Sequence, residues 1–318
     1  MTKVSYNELL DAGVHFGHLR RKWNPNMAPY IFMEKNGIHI IDLNKTAAKI
    51  DEAGTAIKQI AKSGKKILFV ATKKQAKDIV AEHVKRVNMP FVTERWPGGM
   101  LTNFATIRKA VKKMSGIDKM FTDGTSDNMS KKERLQITRE RAKLEKNLGS
   151  IADLTRLPAA LFIVDISKEH IAVAEAKKLS IPTFAIVDTN SNPNEVDFPI
   201  PANDDAAKSI SLVVNAMVEA IEEGLAERKF DKDKQIEDER EEAFEAAELK
   251  SKTIVELEAQ EDEEEVKKTK KAAAKQVLKA KDTVDTEPIE RKDKKFIPRG
   301  PKPQLSVKKP GIGKKPIK

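Results

Sequence analysis

Residues 66–72 read Lys66-Ile67-Leu68-Phe69-Val70-Ala71-Thr72, a continuous apolar run between Gly64 and the pair Lys73-Lys74. The same form returns in Ala160-Leu161-Phe162-Ile163-Val164-Asp165 and in Thr183-Phe184-Ala185-Ile186-Val187-Asp188. A strand with one wet face alternates apolar and polar residues, whereas a strand apolar at every position is covered on both faces, as in parallel α/β sheets. Residues 91–94 form a weaker run of this type, and residues 38–43 a fifth candidate strand. Helical spacing of apolar residues fills 46–61, 74–86, 171–179 and 205–225 between and after them. Strand and helix in alternation build βαβ units with right-handed crossovers. The expected fold class is α/β: a doubly wound, flavodoxin-like parallel sheet flanked by helices.

One interval breaks this rhythm. About fifty residues separate Phe104 from Leu157, where a crossover needs about a dozen. Ile107, Val111 and Met114 fall at helical spacing, Asp123-Gly124-Thr125-Ser126-Asp127-Asn128 interrupts, and Leu135, Leu144, Leu148 and Ile151 resume it. This predicts an antiparallel helical hairpin whose arms bury their apolar stripes mainly against each other. The chain accordingly divides into an α/β domain (1–103 with 158–229), a helical hairpin insertion (104–157) and a charged extension (230–318).

Composition narrows the function classes. Charged residues make up 34% of the 318 and aromatics only 5%, with the apolar residues concentrated before about 225, so one core is expected there. No cysteine is present, which excludes disulfides and thiolate metal sites. No secretory-type apolar stretch follows Met1, and no run approaches membrane-spanning length, so a soluble cytoplasmic chain without a membrane partner is expected. The net charge of +10 divides into +9 over residues 1–221, −12 over 222–265 and +13 over 266–318. A basic core and a basic tail call for a polyanionic partner. The acidic stretch should avoid phosphate, and the proline-bearing last segment, expected to be disordered in isolation, suits an extended strap that orders on RNA, or alternatively a solubility tail without a partner.

Catalytic machinery is hard to find. Neither a Gly-x-Gly-x-x-Gly fingerprint nor a Gly-x-x-x-x-Gly-Lys phosphate loop follows any strand. Gly98-Gly99 is placed where backbone amides can meet a phosphate, though the preferred reading is a tight strand-to-helix turn where side chains would clash. No cofactor is expected. His15 and His18, three apart, would share one face of a helix, and together with Asp188, Asp204 and Asp205 they offer ligands for a divalent metal. The competing reading is ordinary turn and helix-start chemistry, and no metal is assigned.

The nucleic-acid signal is stronger. Arg20-Arg21-Lys22-Trp23 joins cations to an aromatic, which suits phosphate pairing with base stacking, and Arg95-Trp96 repeats the pair. Lys73 and Lys74 stand at a helix start. Arg108, Lys109, Lys112 and Lys113 on the first hairpin arm and Lys131, Lys132 and Arg134 on the second make a basic stripe. The alternative for the tryptophans is core packing, and for the lysines plain solvation.

His15-Phe16-Gly17-His18, Trp23-Asn24-Pro25 and Gly37-Ile38-His39-Ile40-Ile41-Asp42-Leu43 stand in order in the opening of the chain. Later come Glu94-Arg95-Trp96 with Gly98-Gly99-Met100-Leu101-Thr102-Asn103, then Ile181-Pro182 with Val187-Asp188-Thr189-Asn190, and Ile200-Pro201 with Asn203-Asp204-Asp205. Over about residues 1–228 this resembles the bacterial small-subunit ribosomal protein two family, with Pro97 standing where the family usually carries Leu. The resemblance implies a coiled-coil protrusion on an α/β core and binding to small-subunit ribosomal RNA between head and body. It also implies contact with other small-subunit proteins and recruitment of ribosomal protein one. Two rivals use the same features: a free regulatory RNA-binding protein, and a nucleotide-binding enzyme on the same fold.

Overall fold

The computed structural model describes residues 4–124 and 129–240. Ser5 and Glu8 cap each other reciprocally and open the short helix α1 (Tyr6–Asp11). Three strands follow, β1 (Phe16–Leu19), β2 (Ile31–Lys35) and β3 (Ile38–Ile41), in a small antiparallel sheet of order β1-β3-β2. The run at 38–43 therefore does not join the parallel sheet, as its apolar character suggested. The cause lies just before it: Asn36 (φ 53°) and Gly37 (φ 74°) are both left-handed, the two-residue turn that folds β2 back on β3.

Helix α2 (Leu43–Lys62), started by the Asp42 carboxylate accepting from the Asn44 amide, leads to the main sheet. That sheet contains β4 (Ile67–Val70), β5 (Phe91–Val92), β6 (Ala160–Val164), β7 (Thr183–Val187) and β8 (Phe198–Pro201). All four neighbouring pairs are parallel, in the order β5-β4-β6-β7-β8. This is the flavodoxin-like order, with the switch of winding direction between β4 and β6. The strand that sequence reasoning did not supply is β8. Pro199 and Pro201 lie within it, and proline argues against a strand except at a sheet edge, which is where β8 lies.

Successive residues of the central strands feed opposite faces. Phe69, Phe162 and Phe184 enter one apolar cluster with residues of α2, of α3 (Lys74–Arg86) and of a long helix α7 over residues 207–240. Leu68, Val70, Leu161 and Ile163 enter the other, with Ala172, Val173 and Ala176 of α6 (His170–Lys178). The inserted segment also contributes to that second cluster. Its two helices, α4 (Phe104–Thr122) and α5 (Lys131–Leu148), pack along each other, with ion pairs from Lys113 to Glu140 and from Arg141 to Asp118 (2.5 Å). Near their base, however, Phe104, Ile107, Val111, Leu144 and Leu148 pack on the sheet. The arms thus bury apolar surface against the sheet as well as against each other, because the connection from β5 to β6 supplies no other helix to cover that face.

Helix α7 runs on through residue 230, where the extension was expected to begin. Lys62 holds it there, 3.4 Å from Glu227 and 3.1 Å from Asp231. The expectations for residues 241–318, and for 125–128 of the hairpin turn, lie outside the described residues.

Candidate nucleic-acid interface

The crevice beyond the carboxyl ends of the strands, at the switch between β4 and β6, is where such sheets take ligands. Four segments converge there: Thr72-Lys73 after β4, Asp165 after β6, Asp188-Thr189 after β7 and Asn203-Asp204-Asp205 after β8. Asp165 is left-handed (φ 69°), and its carboxylate accepts from the Ser167 and Lys168 amides, a local bond that offsets the strain. The antiparallel sheet is brought in by Gly17, since a Cβ there would lie 2.6 Å from Thr189 Cγ2 and 2.9 Å from the His39 carbonyl oxygen. The His18 amide donates to Thr189 Oγ1 (2.8 Å) and the Asn24 amide to the Thr189 carbonyl (2.8 Å).

This close approach sets His18 among acids. Its Nδ1 lies 2.8 Å from Asp188 Oδ2 and its Nε2 3.5 Å from Asp205 Oδ2. The hydrogen bond to Asp188 raises the His18 pKa against the opposing effect of burial. Lys73 Nζ contacts Asp204 (2.8 Å), Asp205 (2.5 Å) and Asp165 (3.7 Å). Burial pushes the Lys73 ammonium down, but its bonds to Asp204 and Asp205 outweigh this and raise it overall. Asp204, fully buried, is pushed up to about 7 by burial and by its neighbours Asp188 and Asp165, against the pull of Lys73. Asp205 is drawn below its ordinary value, because Lys73 outweighs its partial burial.

Carboxylates therefore occupy the ligand crevice, so a phosphate would meet repulsion there. The groups suited to a divalent cation are His18, Asp188 and Asp204, whose ligand atoms lie within 4.8 Å of one another, with Asp204 Oδ2 buried and unpartnered. Of the five residues singled out for such a site, His15 stays outside, its ring tilted 39° against that of Phe16 (centroids 4.0 Å). The helical spacing invoked for His15 and His18 does not apply: His18 lies in strand β1 and His15 just before it, and three residues along a strand reach opposite faces.

The Gly99 amide is also taken. Glu175 of α6 accepts from Gly99 N (2.7 Å), Leu101 N (2.9 Å), Thr102 N (3.1 Å) and the Trp96 indole (3.3 Å). Burial pushes this carboxyl up, but the amides of Leu101, Thr102 and Gly99 and the Trp96 indole bring it below its ordinary value. The carboxylate that meets the Gly99 amide is thus supplied from within the protein.

The remaining cations separate by accessibility. Arg20, Arg21 and Lys22 form an exposed 3-10 turn, and Trp23 beside them is 37% exposed, its ring 5.2 Å from that of His39. Lys74, Arg95, Arg108, Lys109, Lys112, Lys131, Lys132 and Arg134 are also exposed. Arg108 donates to the Thr155 carbonyl (3.0 Å), and Lys113, though exposed, is engaged by Glu140. Two members of the expected set are not presented to a partner: Lys73 is enclosed by aspartates, and Trp96 is 7% exposed in the second apolar cluster. Sequence reasoning also passed over an apolar outer face of the small sheet. Ile40 of β3 stands between Phe16 and Met33, and Ile38 beside Leu19. Phe16, Met33 and Leu19 are 49%, 48% and 44% exposed.

Fold and site define the class: a flavodoxin-like α/β domain whose strand-end crevice is lined by carboxylates, with exposed cations on its inserted helix pair and on the Arg20–Lys22 turn. The family is particular: residues 9–224 match the sequence model of Ribosomal protein S2, and the chain belongs to that family. It is 68% identical over 232 residues to small ribosomal subunit protein uS2 of Parabacteroides distasonis, covering 73% of this chain and 84% of that one. With the protein of the same name from Phocaeicola vulgatus the identity is 70% over 232 residues, 73% of this chain and 83% of that one. With that of Flavobacterium johnsoniae it is 70% over 231 residues, 73% and 91%.

Proposed function

We propose that this chain is a structural constituent of the small ribosomal subunit in the cytoplasm, binding small-subunit ribosomal RNA and neighbouring small-subunit proteins. The observation that carries the reading is the identity of about 70% with proteins named for that subunit, extending over the α/β domain and the inserted helices together. The mechanism is scaffolding without catalysis. Exposed cations of the helix pair and of the Arg20–Lys22 turn neutralise phosphates and release counterions, Trp23 stacks on an unpaired base, and the shape of folded RNA gives specificity.

Recruitment of ribosomal protein one belongs to the same reading. The outer face of the small sheet, with Phe16, Leu19 and Met33, suits a protein neighbour better than RNA, since it is apolar and contiguous. A tagged copy should sediment with small subunits through a sucrose gradient at low salt and high magnesium. A copy found only at the top of the gradient would overturn the assignment in favour of a free RNA-binding protein.

A further inference from the structure

We propose that Glu175 is a positioning residue: its carboxylate fixes the direction in which the α4–α5 pair leaves the sheet, and so the presentation of the cations that pair carries. The inference rests on the RNA-binding reading for its consequence, but not for its geometry. The turn that launches α4 has no side-chain cap of its own, since the Asn103 side chain accepts no hydrogen bond from the helix amides. Three amides of that turn, Gly99, Leu101 and Thr102, instead converge on a single group, the Glu175 carboxylate. Thr102 Oγ1 (3.3 Å) and the Trp96 indole complete the set. Gly99 is left-handed (φ 83°), a conformation that lets neighbouring amides of the turn face one anion.

Glu175 belongs to the sheet domain and not to the hairpin. It lies on α6, between β6 and β7, where Ala172, Val173 and Ala176 pack into the sheet's second apolar cluster. The carboxylate thus ties the one turn whose conformation sets the axis of α4 to the rigid part of the fold. Apolar packing at the base is non-directional and allows the helices to rock. Charge-assisted hydrogen bonds with fixed amide geometry do not.

The test uses the full chain. The protein has no cysteine, so two introduced ones carry spin labels without further change. Labels at Thr122 on α4 and Thr55 on α2, both exposed, report the angle of the arm by pulsed dipolar distance measurement. The native residue should give one narrow distribution. Glu175→Ala should broaden or shift it while far-ultraviolet circular dichroism stays native, and formate should narrow it again where chloride at equal ionic strength does not. Affinity for small-subunit RNA should fall about tenfold or more, the scale of lost hydrogen bonds to a charged group. If Glu175→Ala does not fold, Glu175→Gln keeps the shape and should still broaden the distribution. A native distribution in the folded variant overturns the proposal. The distances are read without RNA, so a loss of arm order with unchanged RNA affinity would count against the RNA reading instead.

Discussion

At the scale of single residues, the two tryptophans separate structural from binding roles. Trp96 lies in the second apolar cluster with its indole bound to Glu175, so Trp96→Ala should cost about 3–5 kcal/mol of stability, read by urea unfolding. Trp23 is exposed over a third of its surface, so Trp23→Ala should leave unfolding nearly unchanged and weaken RNA binding by about 1–3 kcal/mol, read by filter binding. The sequence showed both as an aromatic beside arginines, and nothing local distinguishes them. What decides is Glu175, far along the chain. Lys73 carries the same lesson: read as a free cation, it is held by aspartates that follow β8. Glu175 also predicts a pH effect. Its folded-state pKa is depressed, so its stabilisation is present above the ordinary carboxylate range and is lost as pH falls through and below it. The stability gap between the native protein and Glu175→Gln should be widest near neutrality and close in acid.

At the scale of elements, the three buried strands were legible because each is apolar throughout, whereas β3 and β8 were not. The β3 run looked like a buried strand, and only the Asn36-Gly37 turn betrays its antiparallel pairing. The β8 run was hidden by its prolines and by a short connection from β7. The inserted helices were legible from their spacing, but the destination of their base was not, since an apolar stripe does not say what covers it. That distinction changes the expected outcome of a deletion. Replacing Arg108–Gly149 by a short turn removes Val111, Leu144 and Leu148 from the second cluster, and should destabilise the α/β domain by about 4 kcal/mol or more. Replacing only residues 115–141 spares them. It should leave the midpoint of thermal unfolding within a few degrees of native while weakening incorporation into small subunits.

At the scale of the whole molecule, charge is divided along the chain more sharply than its total suggests. Residues 266–318 carry +13, so removing them should make the logarithmic dependence of RNA affinity on salt shallower and leave the fold intact. An unchanged slope in binding titrations would show that this segment does not meet phosphate. A protein destined for an RNA surface also spends time without it, with a parallel sheet that ends in two edge strands among the described residues. One flank is β5, only Phe91–Val92; the other is β8. Along β8 the amide of Ala202 turns inward to Val187, so by alternation Pro199 and Pro201 stand on the outward-turned positions and present no donor there. A second strand arriving at that flank finds half of its hydrogen-bonding code missing. The outward side of β8 is thereby a poor template for a second copy of the chain.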